Sequence, residues 1–277
     1  MAKKKHYQIV IQSIATLIQN ANFKGFFTGK IYQGDTKKVC VPGLNCYSCP
    51  GAVGSCPIGS LQNSLSGYSF KFPYYVLGLL LFFGAILGRI VCGFLCPFGL
   101  VQDLLHKIPF PKKIRTFKGD MILRKLKYIV LIVMVIILPI ICKLTPVFCK
   151  YLCPSGTLAG ILLAFSDTTL FSVFGSIFAW KFCILAIIIL TSIIIARPFC
   201  KYLCPLGAFY GIMNKVSVVQ MSCDKSKCNN CKACAKVCDM AVDPSVNCNH
   251  TECIRCGKCK DVCPSKAISY TSIFKEK

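Results

Sequence analysis

CNNCKACAKVC, residues 228–238, and CIRCGKCKDVCP, residues 253–264, decide how the last fifth of this chain folds. Cys228, Cys231, Cys234 and Cys238 recur as Cys253, Cys256, Cys259 and Cys263, a repeat of 25 residues. Thiolates at this spacing hold two cubane clusters, each taking three ligands from one motif and the fourth from the other. The spacing predicts a 4Fe-4S site from Cys228, Cys231, Cys234 and Cys263, and a second from Cys253, Cys256, Cys259 and Cys238. Zinc would favour cysteine pairs set around a longer spacer. Pro264 follows the last ligand, but Asp239 stands after Cys238, where the pattern expects proline. Cys223 and Cys248 each precede a motif by five residues and read as small apolar core residues.

Upstream, Cys-Pro-x-Gly occurs four times, at Cys56, Cys96, Cys153 and Cys204. Three copies extend backwards to Cys-x-x-x-Cys-Pro through Cys92, Cys149 and Cys200, whereas the first is preceded by Cys40, Cys46 and Cys49. Cysteines four apart share one face of a helix; the proline breaks its hydrogen bonding and the glycine allows a tight turn.

Between these motifs lie long apolar runs. Pro73–Val91, Tyr128–Leu144 and Phe178–Ala196 each approach the ~20 residues that cross a bilayer. Arg89 and Lys181 stand near their ends and are expected to snorkel. Tyr7–Phe27 is a weaker fourth span, because Gln8, Gln12, Gln19 and Asn20 interrupt it; those residues either face a bundle interior or lie at the interface. It lacks the apolar region and cleavage site of a signal peptide. Thr157–Phe174 carries Asp167 and reads as an interfacial or re-entrant helix. Lys3–Lys5, the basic stretch 98–127 and everything after Ala196 place both termini in the cytoplasm on the positive-inside rule, in a multi-pass protein of the inner membrane.

On four spans the Cys-Pro-x-Gly copies alternate outside, inside, outside, inside. That is a tandem duplication with an axis along the membrane normal. Cys92, Cys96, Cys200 and Cys204 then meet at the inner face, four thiolates as a further cubane requires. At the outer face Cys149 and Cys153 meet two of the upstream cysteines, Cys49 and Cys56 being preferred; Cys40 and Cys46 are left for a disulfide or a second centre. Disulfides are the alternative for the whole outer group.

The expected fold is a mostly α membrane protein of about four helices in two tandem repeats, with a small α+β two-cluster domain. Residues 1–197 form the membrane part, with outer motifs at 40–56 and 149–156 and an inner one at 92–99. Residues 198–222 carry the second inner motif and a linker, and 223–277 the cluster domain. A formal charge of +23 does not make this a nucleic-acid binder, because it counts every one of the 22 cysteines as neutral. No histidine lies inside a span, which excludes a transmembrane bis-His haem. His6 reads as a tail residue, His106 as interfacial or quinone-contacting, His250 as a solvated loop residue, and Cys142 and Cys183 as core. No Gly-rich nucleotide loop, carboxylate pair or nucleophile constellation is present.

GRIVCGFLCPFG and FCKYLCPLG, followed by the doubled cysteine motif, resemble the membrane polyferredoxins related to NapH and NosR, over most of Pro73–Ile268. CVPGLNCYSCPGAVGSCPIGSLQ resembles a branch of that family common among anaerobic bacteria. The resemblance implies a ferredoxin-like tail and electron transfer between the quinone pool or a cytoplasmic donor and an outer-face acceptor. It implies redox partner proteins, and an electron carrier or a subunit of an oxidoreductase such as a quinol dehydrogenase. Relatives with one ferredoxin motif act in copper handling, so metal-ion reduction is the second reading; an iron–sulfur redox sensor is the third.

Overall fold

The computed structural model describes residues 7–67, 72–111, 113–143, 145–166 and 175–274; His6, Lys3–Lys5 and Asp167 lie outside them. The described chain is mostly helical. Its helices are α1 (Gln8–Gln19), α2 (Phe23–Thr28), α3 (Pro57–Ser66), α4 (Tyr74–Leu87), α5 (Ile90–Phe94), α6 (Pro97–Lys107), α7 (Asp120–Ile129), α8 (Leu138–Ile141), α9 (Val147–Tyr151), α10 (Pro154–Ser166), α11 (Ser176–Ile194), α12 (Pro198–Tyr202), α13 (Pro205–Met213), α14 (Ala233–Val237) and α15 (Lys258–Val262). Strands β1 (Val219–Cys223) and β2 (Ile268–Ser272) pair antiparallel, with Met221 opposite Tyr270, and close the tail on itself.

Each Cys-Pro-x-Gly starts a helix. Cys56, Cys96 and Cys204 are the N-cap residues of α3, α6 and α13, in extended conformation (ψ 129°, 116° and 114°). A residue before proline is driven out of the helical region, and proline at the first helical position loses no intrahelical bond. The two cysteines of Cys-x-x-x-Cys therefore do not share one helix, as the i, i+4 reading expects. Cys92 and Cys200 sit in the short helices α5 and α12, and their partners begin the next helix. The glycine does not turn the chain either. A side chain at Gly99 would meet the carbonyl of Cys92 at 3.1 Å, and one at Gly207 that of Cys200 at 3.2 Å. Glycine is there for close packing.

These breaks shorten the spans. Among the described residues, α11 alone is one helix long and apolar enough to cross a membrane; α1, α4 and α10 have 12, 14 and 13 residues. The single span expected over Pro73–Val91 is split at Gly88 (φ +56°) into α4 and α5. From Asp120 to Ile141 the chain stays helical, with a π-helical middle at Val130–Ile137 between α7 and α8.

The polar residues of α1 face inward. Nε2 of Gln8, Gln12 and Gln19 donates to the carbonyls of Gly93, Cys96 and Leu95 (3.1, 2.9 and 2.8 Å). Those carbonyls lie at the step from α5 to α6, where Pro97 has no N–H to give the Gly93 carbonyl. Cys142 and Cys183, expected in the core, are exposed instead. The core runs through Val91, Phe98, Phe199, Leu206 and Ile254. Phe98 and Phe199 pack edge to face at 5.2 Å, a geometry worth about 0.5–1.5 kcal/mol beyond its area.

Candidate iron-sulfur centres

In the tail the thiols fall into two groups. Cys228, Cys231, Cys234 and Cys263 line one cavity of about 20 Å³, and Cys238, Cys253, Cys256 and Cys259 line another of the same size. The grouping is the crossed one of the sequence pattern. Left-handed backbone at Asn230, Lys232 and Ala241 recurs 25 residues later at Arg255, Gly257 and Lys266. Each non-glycine member costs about 1–2 kcal/mol, a strain that turns successive amides inward as an anion nest does. Asp239, which replaces the expected proline, forms an ion pair with Lys258 and ties the Cys238 loop to α15. Cys248 is buried with Met221 and Ile268 between the two cavities, and Cys223, half-buried, lines the first of them beside Cys228. Burial pushes the Cys256 thiol up to about 12, so a metal bound there must displace its proton.

The inner group comes from the two halves of the duplication. Cys204 lies within electrostatic reach of Cys200, Cys92 and Cys96, and all four are buried. Gln102 Nε2 donates to Cys200 Sγ (3.1 Å), and the Gly207 amide to Cys204 Sγ (3.3 Å). Two arginines, each three residues before a motif, cross over. Arg197 donates to the Cys92 carbonyl (2.6 Å) and Arg89 to the Cys200 carbonyl (3.0 Å). Asp103 pairs with Arg197, and Glu252 with Arg89 at 2.7 Å. Arg89 is fully buried, so it does not snorkel. Its carbonyl and carboxylate partners take Nη1 and Nη2, while its buried Nε has no partner among the described residues.

The outer group differs from the expected one. Cys46, Cys56, Cys149 and Cys153 line a single cavity of about 550 Å³. Cys49, which the sequence reading preferred, lines a neighbouring cavity of about 280 Å³ with Phe23, Phe26, Phe98 and Leu162, and Cys46 borders both. Cys40 points to Ser60, with Sγ 3.4 Å from its hydroxyl. Cys46 and Cys49 are three residues apart and both reach α10, Cys49 at Ala159 and Cys46 at Gly156 beside the other thiols. A Cβ on Gly156 would lie 3.8 Å from Cys46 Sγ, and one on Gly59 3.9 Å from Cys149 Sγ. Lys181 Nζ donates to the Cys149 carbonyl (3.3 Å), taking the place that the crossed arginines hold in the inner group.

The four groups are neighbours. Cys248 lies within reach of Cys234 on one side and Cys253 on the other. Asn214 donates to the Cys253 carbonyl (2.7 Å), and a Cβ on Gly93 would meet the Ile254 carbonyl at 2.8 Å, so the tail seats on the inner group. Glu252 joins Arg89 and Lys127 there. Burial alone would raise its pKa, but these two cations hold it at about 2. Beyond the inner group, Tyr210 is fully buried and donates to the Pro42 carbonyl (3.0 Å). It lies within reach of Cys92, Cys96 and Cys204, and also of Cys56. A Cβ on Gly43 would stand 3.0 Å from Cys96 Cα, so the 40–56 loop packs directly on the Cys92–Cys96 motif. His106 Nδ1 meets the Ser192 carbonyl at 3.2 Å, and His250 is exposed.

A family model described as a 4Fe-4S binding domain matches residues 72–118, 126–168 and 176–220, and a second of the same description matches 249–269. Each of the first three segments holds one Cys-Pro-x-Gly, at Cys96, Cys153 and Cys204. The chain is 29 % identical over 193 residues to the methylamine utilization ferredoxin-type protein MauN of Paracoccus denitrificans, covering 68 % of this chain and 62 % of that protein. It is 26 % identical over 169 residues to the ferredoxin-type protein NapH of Haemophilus influenzae, covering 59 % and 52 %. With the regulatory protein NosR of Pseudomonas aeruginosa the match is 27 % over 162 residues, 56 % of this chain and 21 % of that protein. The match thus spans under two thirds of the length of each of these three relatives. No solved structure matches the chain.

Proposed function

Since the chain belongs to the ferredoxin-type 4Fe-4S family that includes MauN, NapH and NosR, we propose that it is an electron wire through a membrane. In this reading it carries four clusters in series. The observation that carries it is the gathering of the cysteines into four quartets in succession, with Cys248 between the two of the tail, Ile254 on Gly93 between tail and inner group, and Tyr210 between inner and outer. A 4Fe-4S cluster, when bound, accepts and gives up one electron at a time. The protein's part is to hold such centres close and to set their surroundings.

The donor sets fit clusters better than single ions. One ion needs its ligands within ~2.3 Å of a point. Among the described residues no three His, Cys, Asp or Glu side chains converge in that way. Copper handling is the second reading, and the two crossed quartets of the tail favour clusters over it. The series also answers the difficulty of distance. Two faces ~30 Å apart would leave a long gap, but Pro42–Gly43 comes down to Cys96 and Tyr210 fills the space between.

Helix α11 crosses the bilayer in one piece, and the continuous run 120–141 supplies a second crossing. Interrupted helices such as α4–α5 suit membrane depth only where their free carbonyls are capped by protein, as Gln12 and the crossed arginines do. Lysine and arginine placement puts the tail in the cytoplasm, facing a soluble donor. The apolar cavity beside Cys49 and Phe98 suits a quinone as the alternative donor. Anaerobic purification of the full chain tests the wire. About sixteen irons and sixteen sulfides per chain are expected, four to each quartet. About eight irons together with stoichiometric copper would favour the metal-handling reading.

A further inference from the structure

Of the thiols in the four quartets, Cys231 alone is exposed. It belongs to the first tail centre, with Cys228, Cys234 and Cys263. The second tail centre, with Ile254 packed on Gly93, stands between this one and the inner group. The series of quartets therefore reaches the protein surface at Cys231.

The surface around that thiol is basic. Lys225 and Lys227 lie between Cys223 and Cys228, Lys232 lines the cavity, Lys236 is on α14, and Lys266 stands between the wall residues Ser265 and Ala267; all five are exposed. Lys227 is paired with Asp224 (3.0 Å). The other four form no ion pair among the described residues. At the second centre, by contrast, Lys258 is neutralised by Asp239. Val246 and Val262 are exposed beside the first centre, next to Ser245 and Cys263. Free ammonium groups around a small apolar middle complement an acidic protein surface. An anionic bilayer would fit the charge but not the thiol, because lipid neither gives nor takes an electron.

Deepening the wire reading, on which it rests, we propose that this face docks a small soluble redox protein whose own centre lies in an acidic surface. One electron leaves the partner's reduced centre and enters the centre of Cys228, Cys231, Cys234 and Cys263; no bond is made or broken. Lys225, Lys232, Lys236 and Lys266 steer the encounter, and the two valines exclude water from its middle. Electron-transfer encounters bury little area, so charge sets their rate.

The test uses the full chain, purified anaerobically in detergent, with reduced bacterial ferredoxin, an acidic protein, as the probe. Reduction of the tail centres is followed by stopped flow at rising ionic strength. Reduced methyl viologen, a small cation that needs no docking, is the control. The ferredoxin rate should fall steeply as salt screens the face. A fourfold variant, Lys225→Gln, Lys232→Asn, Lys236→Gln and Lys266→Asn, removes the charges, with asparagine where the backbone is left-handed. It should keep all irons, lose about tenfold or more of the ferredoxin rate at low salt, and match wild type with methyl viologen. Carbodiimide coupling of oxidised ferredoxin to wild type should map to these four lysines. A ferredoxin rate indifferent to salt and to the four substitutions, or coupling at other lysines, overturns the docking face. So does a variant that still couples ferredoxin but no longer binds phosphatidylglycerol vesicles, the sign of a membrane-facing patch. Salt-dependent reduction of the tail that never reaches the inner and outer centres supports the docking face and overturns the wire alone.

Discussion

Arg89 and Arg197 each stand three residues before a cysteine motif, and each serves the other half's motif. A carbonyl at the end of a short helix needs a donor, and a buried guanidinium needs a carboxylate; Glu252 and Asp103 complete the set. Arg197→Gln leaves Asp103 without its partner, and breaking such a buried pair costs about 3–5 kcal/mol. The variant should lose the inner irons, about four of sixteen, and keep the eight of the tail, as counted by iron analysis with EPR. The arginines were in plain view in RIVC and RPFC, but a charge near the end of an apolar run reads first as a snorkelling residue. Its burial depends on residues over a hundred positions away. Cys46 and Cys49 were undecidable for a related reason. No periodicity governs a loop, so spacing could nominate either. With Cys46 in the cavity, Cys46→Ser should remove about four irons and Cys49→Ser none.

At the scale of elements, the legible part was whatever local chemistry dictates. Proline after cysteine must end one helix and start another, and α3, α6, α10 and α13 each begin at that step. The tail's two quartets were readable because their ligands lie within 36 residues of each other. Exchange of the fourth ligand makes a directional prediction. Cys238→Ser should damage the centre of Cys253, Cys256 and Cys259 and spare that of Cys228, Cys231 and Cys234, seen as loss of one of two tail EPR signals. Span lengths were less legible, since hydropathy counts residues without seeing where Gly88 breaks the helix. The seating of the tail on the inner motif was hidden altogether, because Glu252, Asn214 and Gly93 carry no pattern that marks an interface. Gly93→Ala would drive a methyl group into the Ile254 carbonyl. Iron content should be unchanged, while electron transfer from the tail to the inner centre slows in stopped-flow reduction.

The whole molecule joins a segmentally repeated helical part to a tail that repeats on its own period, and the two meet at Glu252. The proposed wire rests on continuity: each quartet has a neighbour, and the 40–56 loop packs down on Tyr210 to close the last gap. The most direct check is transfer across a sealed vesicle. Full-length chain is reconstituted into vesicles loaded with ferricyanide, and reduced bacterial ferredoxin, too large to enter, is added outside. Wild-type protein should bleach the enclosed ferricyanide, and Cys204→Ser, with the tail centres still reduced, should bleach it no faster than protein-free vesicles. Equal rates for the two proteins, or no bleaching by a fully loaded wild type, would contradict the account.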